Sequence, residues 1–362
     1  MSINPTFFHK KLIFWYLQNG RSLPWRNTIN PYFIWLSEIM LQQTRVAQGL
    51  PYYNKFIKSF PTIQDLAKAE EDEILKMWQG LGYYSRARNL HFTAKYISNE
   101  LGGVFPSSYA ELIKLKGIGD YTASAIASIC FDESTAVVDG NVYRVLARFF
   151  GISTPINSSK GIREFKNLAQ ELIDSDQPGT YNQAIMEFGA RYCVPQNPNC
   201  KACIFNDKCV AYAKNKISIY PVKLKKNAVK KRYFNYIVVL SEDQKTIVQQ
   251  RTGKGIWQNL FEFPLIETEI EVDDAQLKQL QEFKEMSSAW NIKTLLLFNR
   301  KVIVHKLTHQ HLHTRFWIAE AIQLPEDRID MNEKMIPITE VNAYAVPVLI
   351  ENFISDFSVF KI

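Results

Sequence analysis

Four cysteines, Cys193, Cys200, Cys203 and Cys209, fall within seventeen residues in the spacing C-x6-C-x2-C-x5-C. No other feature constrains the fold as tightly, because thiolates so close in sequence can wrap one metal centre and fix the loop that carries them. A structural zinc site usually draws on two close pairs of ligands. Here one C-x2-C pair is flanked by single cysteines at longer reach. That pattern suits a cubic iron–sulfur cluster, whose four irons each take one thiolate. Zinc and four unrelated thiols are the alternatives. The fifth cysteine, Cys130, lies in the apolar run ASAIASIC and reads as core.

Five cysteines in 362 residues are not a disulfide framework. The length suggests two or three domains. Lysines interrupt the N-terminal apolar stretch and no small-residue cleavage site follows, so no signal peptide is expected. No uninterrupted apolar run reaches the roughly 18 residues of a membrane span. The expectation is a cytoplasmic protein. A net charge of +7 permits a polyanionic partner without proving one.

The chain changes character along its length. Up to about residue 215 the apolar residues recur at helical spacing, in stretches at 33–49, 62–79, 84–101, 108–115, 120–130, 141–150, 160–174 and 180–192. Prolines 31, 51, 61 and 106 mark starts and breaks. Residues 216–232 form a basic linker, either solvated or touching phosphate. Beyond 233, YFNYIVVL, TIVQQR, KTLLLFNRKVIVHKL and TRFWIAEAI are rich in β-branched and aromatic residues, with helical pieces near 273–286 and 339–355. The C-terminal third therefore reads as a separate α+β domain.

Three segments carry candidate chemistry. In LKGIGDYTA, Gly117 and Gly119 make a G-x-G turn between helices, where backbone N–H groups can hold a phosphate. Alone, such a turn is usually a plain helix connection. In VVDGNVYRV, Asp139 precedes a helix; it is an N-cap, a carboxylate facing a developing cation, or both, with Asn141 placed to orient it. In WLSEIMLQQTRV, Glu38 sits among Trp35, Leu36, Ile39 and Met40, which is unusual for a glutamate if that face is buried. A surface position on an amphipathic helix is the alternative.

Together, the cysteine spacing, the hairpin, VVDGNVYRV and SEIMLQQT resemble the endonuclease III and MutY glycosylases of the helix–hairpin–helix superfamily, and among them the adenine DNA glycosylase (MutY) family. The resemblance implies a multidomain fold: an all-α glycosylase core with an iron–sulfur loop, plus a C-terminal α+β NUDIX (MutT)-like domain. It implies an iron–sulfur domain from 1–24 with 131–215, a helical barrel at 25–130, and an 8-oxoguanine-recognition domain at 233–362. Residues Cys193, Cys200, Cys203 and Cys209 would hold a [4Fe–4S] cluster. The implied partner is double-stranded DNA carrying adenine opposite 8-oxoguanine, met by a monomeric bacterial enzyme at the nucleoid and not at a membrane.

The resemblance also assigns residues. Asp139 matches the catalytic aspartate and Glu38 the glutamate that acts on the base. Adenine leaves readily only once N7 is protonated, which a glutamic acid of raised pKa can do. An ionised aspartate then stabilises the oxocarbenium-like sugar. Tyr121 stands where bifunctional relatives have the lysine that attacks the sugar; a phenol forms no Schiff base, so a monofunctional enzyme is implied. Trp25, Arg26 and Glu187 match positions lining an adenine pocket. Gln43 and Tyr83 match residues that enter the duplex beside 8-oxoguanine. Arg86 and Arg88 are phosphate-contacting or solvated.

In the C-terminal third, QQRTGKGIWQNLFEFP resembles the start of a NUDIX fold, but no glutamate-rich NUDIX box follows, so diphosphate hydrolysis is not expected. Leu307, Thr308 and His309 match a Phe-Ser-His motif that probes 8-oxoguanine; leucine in place of the aromatic is expected to stack more weakly. His305, His309, His311 and His313 also crowd this segment, and a metal site is the alternative account of them. An endonuclease III-like lyase is disfavoured by Glu38, Tyr121 and the C-terminal domain. A non-enzymatic iron–sulfur DNA-binding or electron-transfer protein would keep the cysteines and hairpin without needing Glu38 and Asp139 together.

Overall fold

The computed structural model describes residues 4–225, 229–325 and 331–360. Residues 226–228 of the expected 216–232 linker lie outside the described residues. The chain forms two compact units, one of residues 1–68 with 89–226, the other of residues 69–88 with 227–362. The short segment 69–88 thus belongs with the C-terminal third, which the sequence did not suggest.

The first unit is helical: α1 (Pro5–Asn19), α2 (Pro31–Leu41), α3 (Val46–Ser59) and α4 (Ile63–Lys68) precede the excursion into the second unit. There lies α5 (Glu71–Trp78), and α6 (Ser85–Glu100) leads back. Next come α7 (Tyr109–Leu112), α8 (Asp120–Phe131), α9 (Gly140–Phe150), α10 (Ser159–Leu172), α11 (Pro178–Arg191) and α12 (Val210–Ala213). Asn30 caps α2 through the Tyr32 amide and Pro31 occupies its first turn, where no N–H is needed.

Two sequence expectations need correction. The stretch 33–49 is two helices, because Gln43 adopts φ 55°, a left-handed conformation that no α-helix continues. Pro51 breaks nothing: it lies inside α3 with its ring on the exposed side, at the loss of one i→i−4 bond.

The first unit's core gathers Phe8, Leu12 and Trp15 of α1, Val142, Leu146 and Phe149 of α9, and Tyr181, Ile185 and Phe188 of α11. Phe205 of the cysteine loop stacks on Phe8 at 5.0 Å, tying that loop into the same core.

In the second unit, β1 (Lys230–Ser241), β2 (Lys245–Gln250), β3 (Phe261–Glu262) and β4 (Leu265–Thr268) are followed by α13 (Asp274–Gln279) and α14 (Gln281–Ala289). Then come β5 (Ile292–Leu297), β6 (Ile303–Lys306), β7 (Gln310–Ala321), β8 (Glu333–Pro337) and α15 (Val348–Asp356). One sheet runs β4-β1-β7-β5 with β6 also on β7; the other runs β3-β2-β8. Strand β1 pairs parallel with β7 and is buried on both faces. Its alternate residues serve two cores: Phe234, Tyr236 and Val238 meet Phe316 and α15, while Ile237 and Val239 meet Trp317, Leu277 and Phe283.

Candidate active site

Helix α2 is apolar around most of its circumference and is buried from Ile34 to Met40, which carries Glu38 into the interior at 8% exposure. Glu38 lines a cavity of about 170 Å³ with Tyr121, Asp139 and Asn141. Trp25, Arg26 and Glu187 line the same cavity. Seven residues singled out in the sequence, from well separated parts of the chain, thus meet at one place within the first unit.

Asp139 is the N-cap of α9. One carboxylate oxygen accepts from the Asn141 and Val142 amides, both at 2.8 Å, and the other accepts from Asn141 Nδ2 at 2.7 Å. Capping and presentation to the cavity therefore coexist. Arg144 donates to Asn141 Oδ1 at 2.9 Å and, through Nε, to the Cys193 carbonyl at 2.7 Å.

Burial pushes the Glu38 carboxyl up to about 7, and the charge of Asp139 adds to the rise, against a hydrogen bond from the Tyr121 hydroxyl and the charge of Arg26. Asp139 is raised as well: burial outweighs the Val142 and Asn141 hydrogen bonds. The two sites remain unlike. Asp139 has three donors fixed on it, whereas Glu38 has only a phenol, which favours the charged form at Asp139 over Glu38. Met186 Sδ, 3.0 Å from the Tyr121 hydroxyl, is the alternative acceptor for its single proton.

Glu187 lies in the opposite electrostatic state. Burial would raise its pKa, but Arg21 and Arg26 hold it at about 2. Arg21 donates through Nε at 2.7 Å and Nη2 at 2.6 Å, and Arg26 through Nη2 at 2.8 Å. Arg21 was missed in the sequence; the signal was a second arginine five residues before Arg26, whose partner could be recognised only once α11 brought Glu187 near. Trp25 is 6% exposed and meets Tyr53 edge-on at 4.9 Å, so it is core and cavity wall together.

In the hairpin, Gly117 has φ 81° and a Cβ there would stand 2.7 Å from Asn89 Cβ, so no other residue fits. Gly119, the N-cap of α8, has extended backbone and open space before it, and no side chain caps the helix.

Cys193, Cys200, Cys203 and Cys209 all line one cavity of about 30 Å³ beside Arg148. Arg148 fixes this loop, donating to the carbonyls of Val194 at 2.7 Å and Pro195 at 2.9 Å and to Cys193 Sγ at 3.5 Å. Among the described residues no group of three or more His, Cys, Asp or Glu is arranged to hold a metal ion. Four thiols lining one cavity are a donor set that fits a metal or iron–sulfur group.

The second unit carries its own constellation. Tyr83 is exposed, has φ 50°, and its hydroxyl lies 3.1 Å from Thr308 Oγ1. Thr308 and His309 are exposed on the β6–β7 turn, whereas Leu307 is partly buried against the core. These residues line a cavity of about 510 Å³ with Arg88, Trp257 and His305. Trp257 was not anticipated there; its ring lies 5.7 Å from that of His305, one of the histidines noted in this segment. Gln43 stands exposed on the turn after α2, in the first unit.

One expected DNA contact is overturned. Arg86 is 7% exposed, donates to the Gly82 carbonyl at 2.9 Å, and lies over the Trp78 and Tyr83 rings at 5.2 and 5.6 Å. It shapes the loop beneath Tyr83 and is closed to a phosphate. Arg88 is half-buried and donates to the Gln258 carbonyl at 2.8 Å.

Comparison with known proteins matches this arrangement. Residues 36–171 fit the family model of the HhH-GPD superfamily base excision DNA repair proteins, and residues 235–356 that of the NUDIX domain. The solved structure of a thermostable thymine-DNA glycosylase superposes with a TM-score of 0.54 at 30% identity, covering 58% of this chain and 97% of that one. A non-covalent endonuclease III–DNA complex shares the fold, with a TM-score of 0.51 at 20% identity over 59% of this chain and 99% of that one. The class is therefore a DNA N-glycosylase of base excision repair, with a helix–hairpin–helix core and a NUDIX-type C-terminal domain.

The adenine DNA glycosylase of Buchnera aphidicola subsp. Schizaphis graminum is 40% identical over 264 residues, 73% of this chain and 76% of the relative. That of Buchnera aphidicola subsp. Baizongia pistaciae is 37% identical over 313 residues, 83% of this chain and 87% of the relative. The mouse adenine DNA glycosylase is 46% identical over 216 residues, 57% of this chain and 42% of the relative. The chain belongs to the adenine DNA glycosylase family. No helix among the described residues is long and apolar enough to cross a membrane.

Proposed function

We propose that the chain excises adenine paired with 8-oxoguanine or guanine in duplex DNA, as a monofunctional glycosylase. The observation that carries the proposal is the pair Glu38 and Asp139 in one cavity, with Glu38 pushed up to about 7. The target adenine flips into the cavity walled by Trp25 and by Arg26 held on Glu187. Glu38 donates its proton to N7, and the C–N bond breaks toward adenine. Asp139, kept anionic by its amide donors, faces the cationic sugar, and water completes the replacement. Asn141 holds the second Asp139 oxygen. Tyr121 supplies no amine, so the backbone is not cut by β-elimination; its phenol orients Glu38.

The hairpin around Gly117 and Gly119 receives a DNA phosphate on the free amides of α8. Gln43 and Tyr83 enter the duplex, and Thr308 and His309 read the base opposite adenine. Arg88 borders that site. The four cysteines hold a [4Fe–4S] cluster, whose contribution when bound is to cross-link the loop that Arg148 and Phe205 anchor. A division of the first unit between a helical barrel (25–130, without the 69–88 segment) and an iron–sulfur domain (1–24 with 131–215), a monomeric state, and action at the bacterial nucleoid belong to the same proposal.

The test is a single-turnover assay on duplexes with adenine or thymine opposite 8-oxoguanine, with and without alkali. Alkali-dependent cleavage only at adenine is the expected result. Cleavage without alkali, or none by iron-replete protein that binds the duplex, would refute it.

A further inference from the structure

The hairpin has an electrostatic conflict built into it. Helix α8 opens with Asp120, an acid in the first turn, which suits the helix's own dipole. The same carboxylate repels any anion arriving at that end of the helix. Asp120 is about half exposed, so its charge faces solvent where such an anion would approach.

Lys166, from α10, meets this carboxylate. Its ammonium lies 3.1 Å from Asp120, 3.1 Å from Ser124 Oγ and 2.9 Å from the Ala136 carbonyl. An ammonium has three protons, and these three acceptors use all of them. Lys166 is therefore saturated within the protein and has no proton left to offer a phosphate. The Tyr109 hydroxyl donates to Asp120 at 2.6 Å, so the carboxylate is gripped from α7 and from α10 together. The Tyr109 ring also lies under the Lys166 ammonium at 5.5 Å.

We propose that Lys166 is a positioning residue for DNA binding: it neutralises and immobilises Asp120 so that the amide end of α8 stays receptive to a phosphate. The inference rests on the hairpin reading above. It differs from a plain structural tie in one respect: removing the carboxylate should help binding, whereas loosening a tie should harm it.

The test is duplex affinity by fluorescence anisotropy at several salt concentrations, using full-length protein. Lys166→Met should weaken binding about fivefold and Asp120→Asn should tighten it severalfold, the range of an incompletely screened charge contact. The double variant should return close to the parent affinity. Weaker binding by Asp120→Asn would show a structural tie only and overturn the proposal. An undiminished loss from Lys166→Met in the Asp120→Asn background would overturn it too, by showing direct phosphate contact. Gly119→Ala separates the underlying reading, since its Cβ meets nothing in the protein but crowds an arriving phosphate. Unchanged affinity in that variant would remove the hairpin reading and this proposal with it. Weakened affinity there, with Asp120→Asn also weakened, would remove only this proposal.

Discussion

The two units treat their polar groups in opposite ways. In the first, Glu38, Asp139 and Glu187 line one cavity, and their proton affinities are displaced in different directions. In the second, Tyr83, Thr308 and His309 are exposed on short turns, and Tyr83 has left-handed backbone. Groups that exchange protons need a low-dielectric setting with fixed dipoles, because only there does a carboxylic acid survive near neutral pH. Groups that compare one base with another need reach and access, which loops on a firm base provide. On the proposed function, the contrast separates catalysis from discrimination.

Three experiments bear on that separation. The largest effect belongs to Glu38→Gln and Asp139→Asn, each expected to slow single-turnover adenine release on the order of 1,000-fold while duplex affinity holds. A near-normal rate in either variant would remove the carboxylate pair from the chemistry.

Next is pH. Glu38 acts in its protonated form and its pKa is about 7, so the rate should fall about tenfold per unit well above that value, while protonation of Asp139, whose pKa is also raised, lowers it on the acid side. A rate that keeps rising above pH 7 would make Glu38 a base.

The smallest effect belongs to Tyr83→Phe and Thr308→Ala, which each remove one side of the 3.1 Å hydroxyl contact. Each should reduce the preference for 8-oxoguanine over guanine opposite adenine by about 3- to 10-fold, the worth of one neutral hydrogen bond. An equal slowing on both duplexes would place these residues in catalysis and blur the contrast.

Much of the first unit was legible because its signals are local. Asp139 announces an N-cap, Gly117 and Gly119 a turn, and Pro31 a helix start, and each holds in three dimensions. What stayed hidden depends on tertiary partners. Arg21 and Lys166 look like ordinary surface cations until α11 and α8 supply Glu187 and Asp120. Arg86 looked solvated because a guanidinium rarely goes inside, and its burial follows from carbonyls that turn inward at Leu81 and Gly82. The break at Gln43 was masked by unbroken apolar spacing on either side, which does not report a single left-handed residue. In the second unit the strands of TRFWIAEAI and YFNYIVVL were plain, but their parallel pairing was not, since alternation gives the faces of a strand and not its neighbour.

The excursion of residues 69–88 also bears on how the chain is made. Synthesis proceeds from the N-terminus, so this segment leaves the ribosome long before β1 and α15 exist. Lys76 waits for the Tyr344 carbonyl, Tyr84 for that of Val346, and Glu71 for Asn259. A chain stopped after the cysteine loop would carry twenty residues folded for a companion that never arrives, with Trp78 and Leu75 among them. The C-terminal domain is thus no detachable accessory: its last turns finish a structure begun before the hairpin is translated.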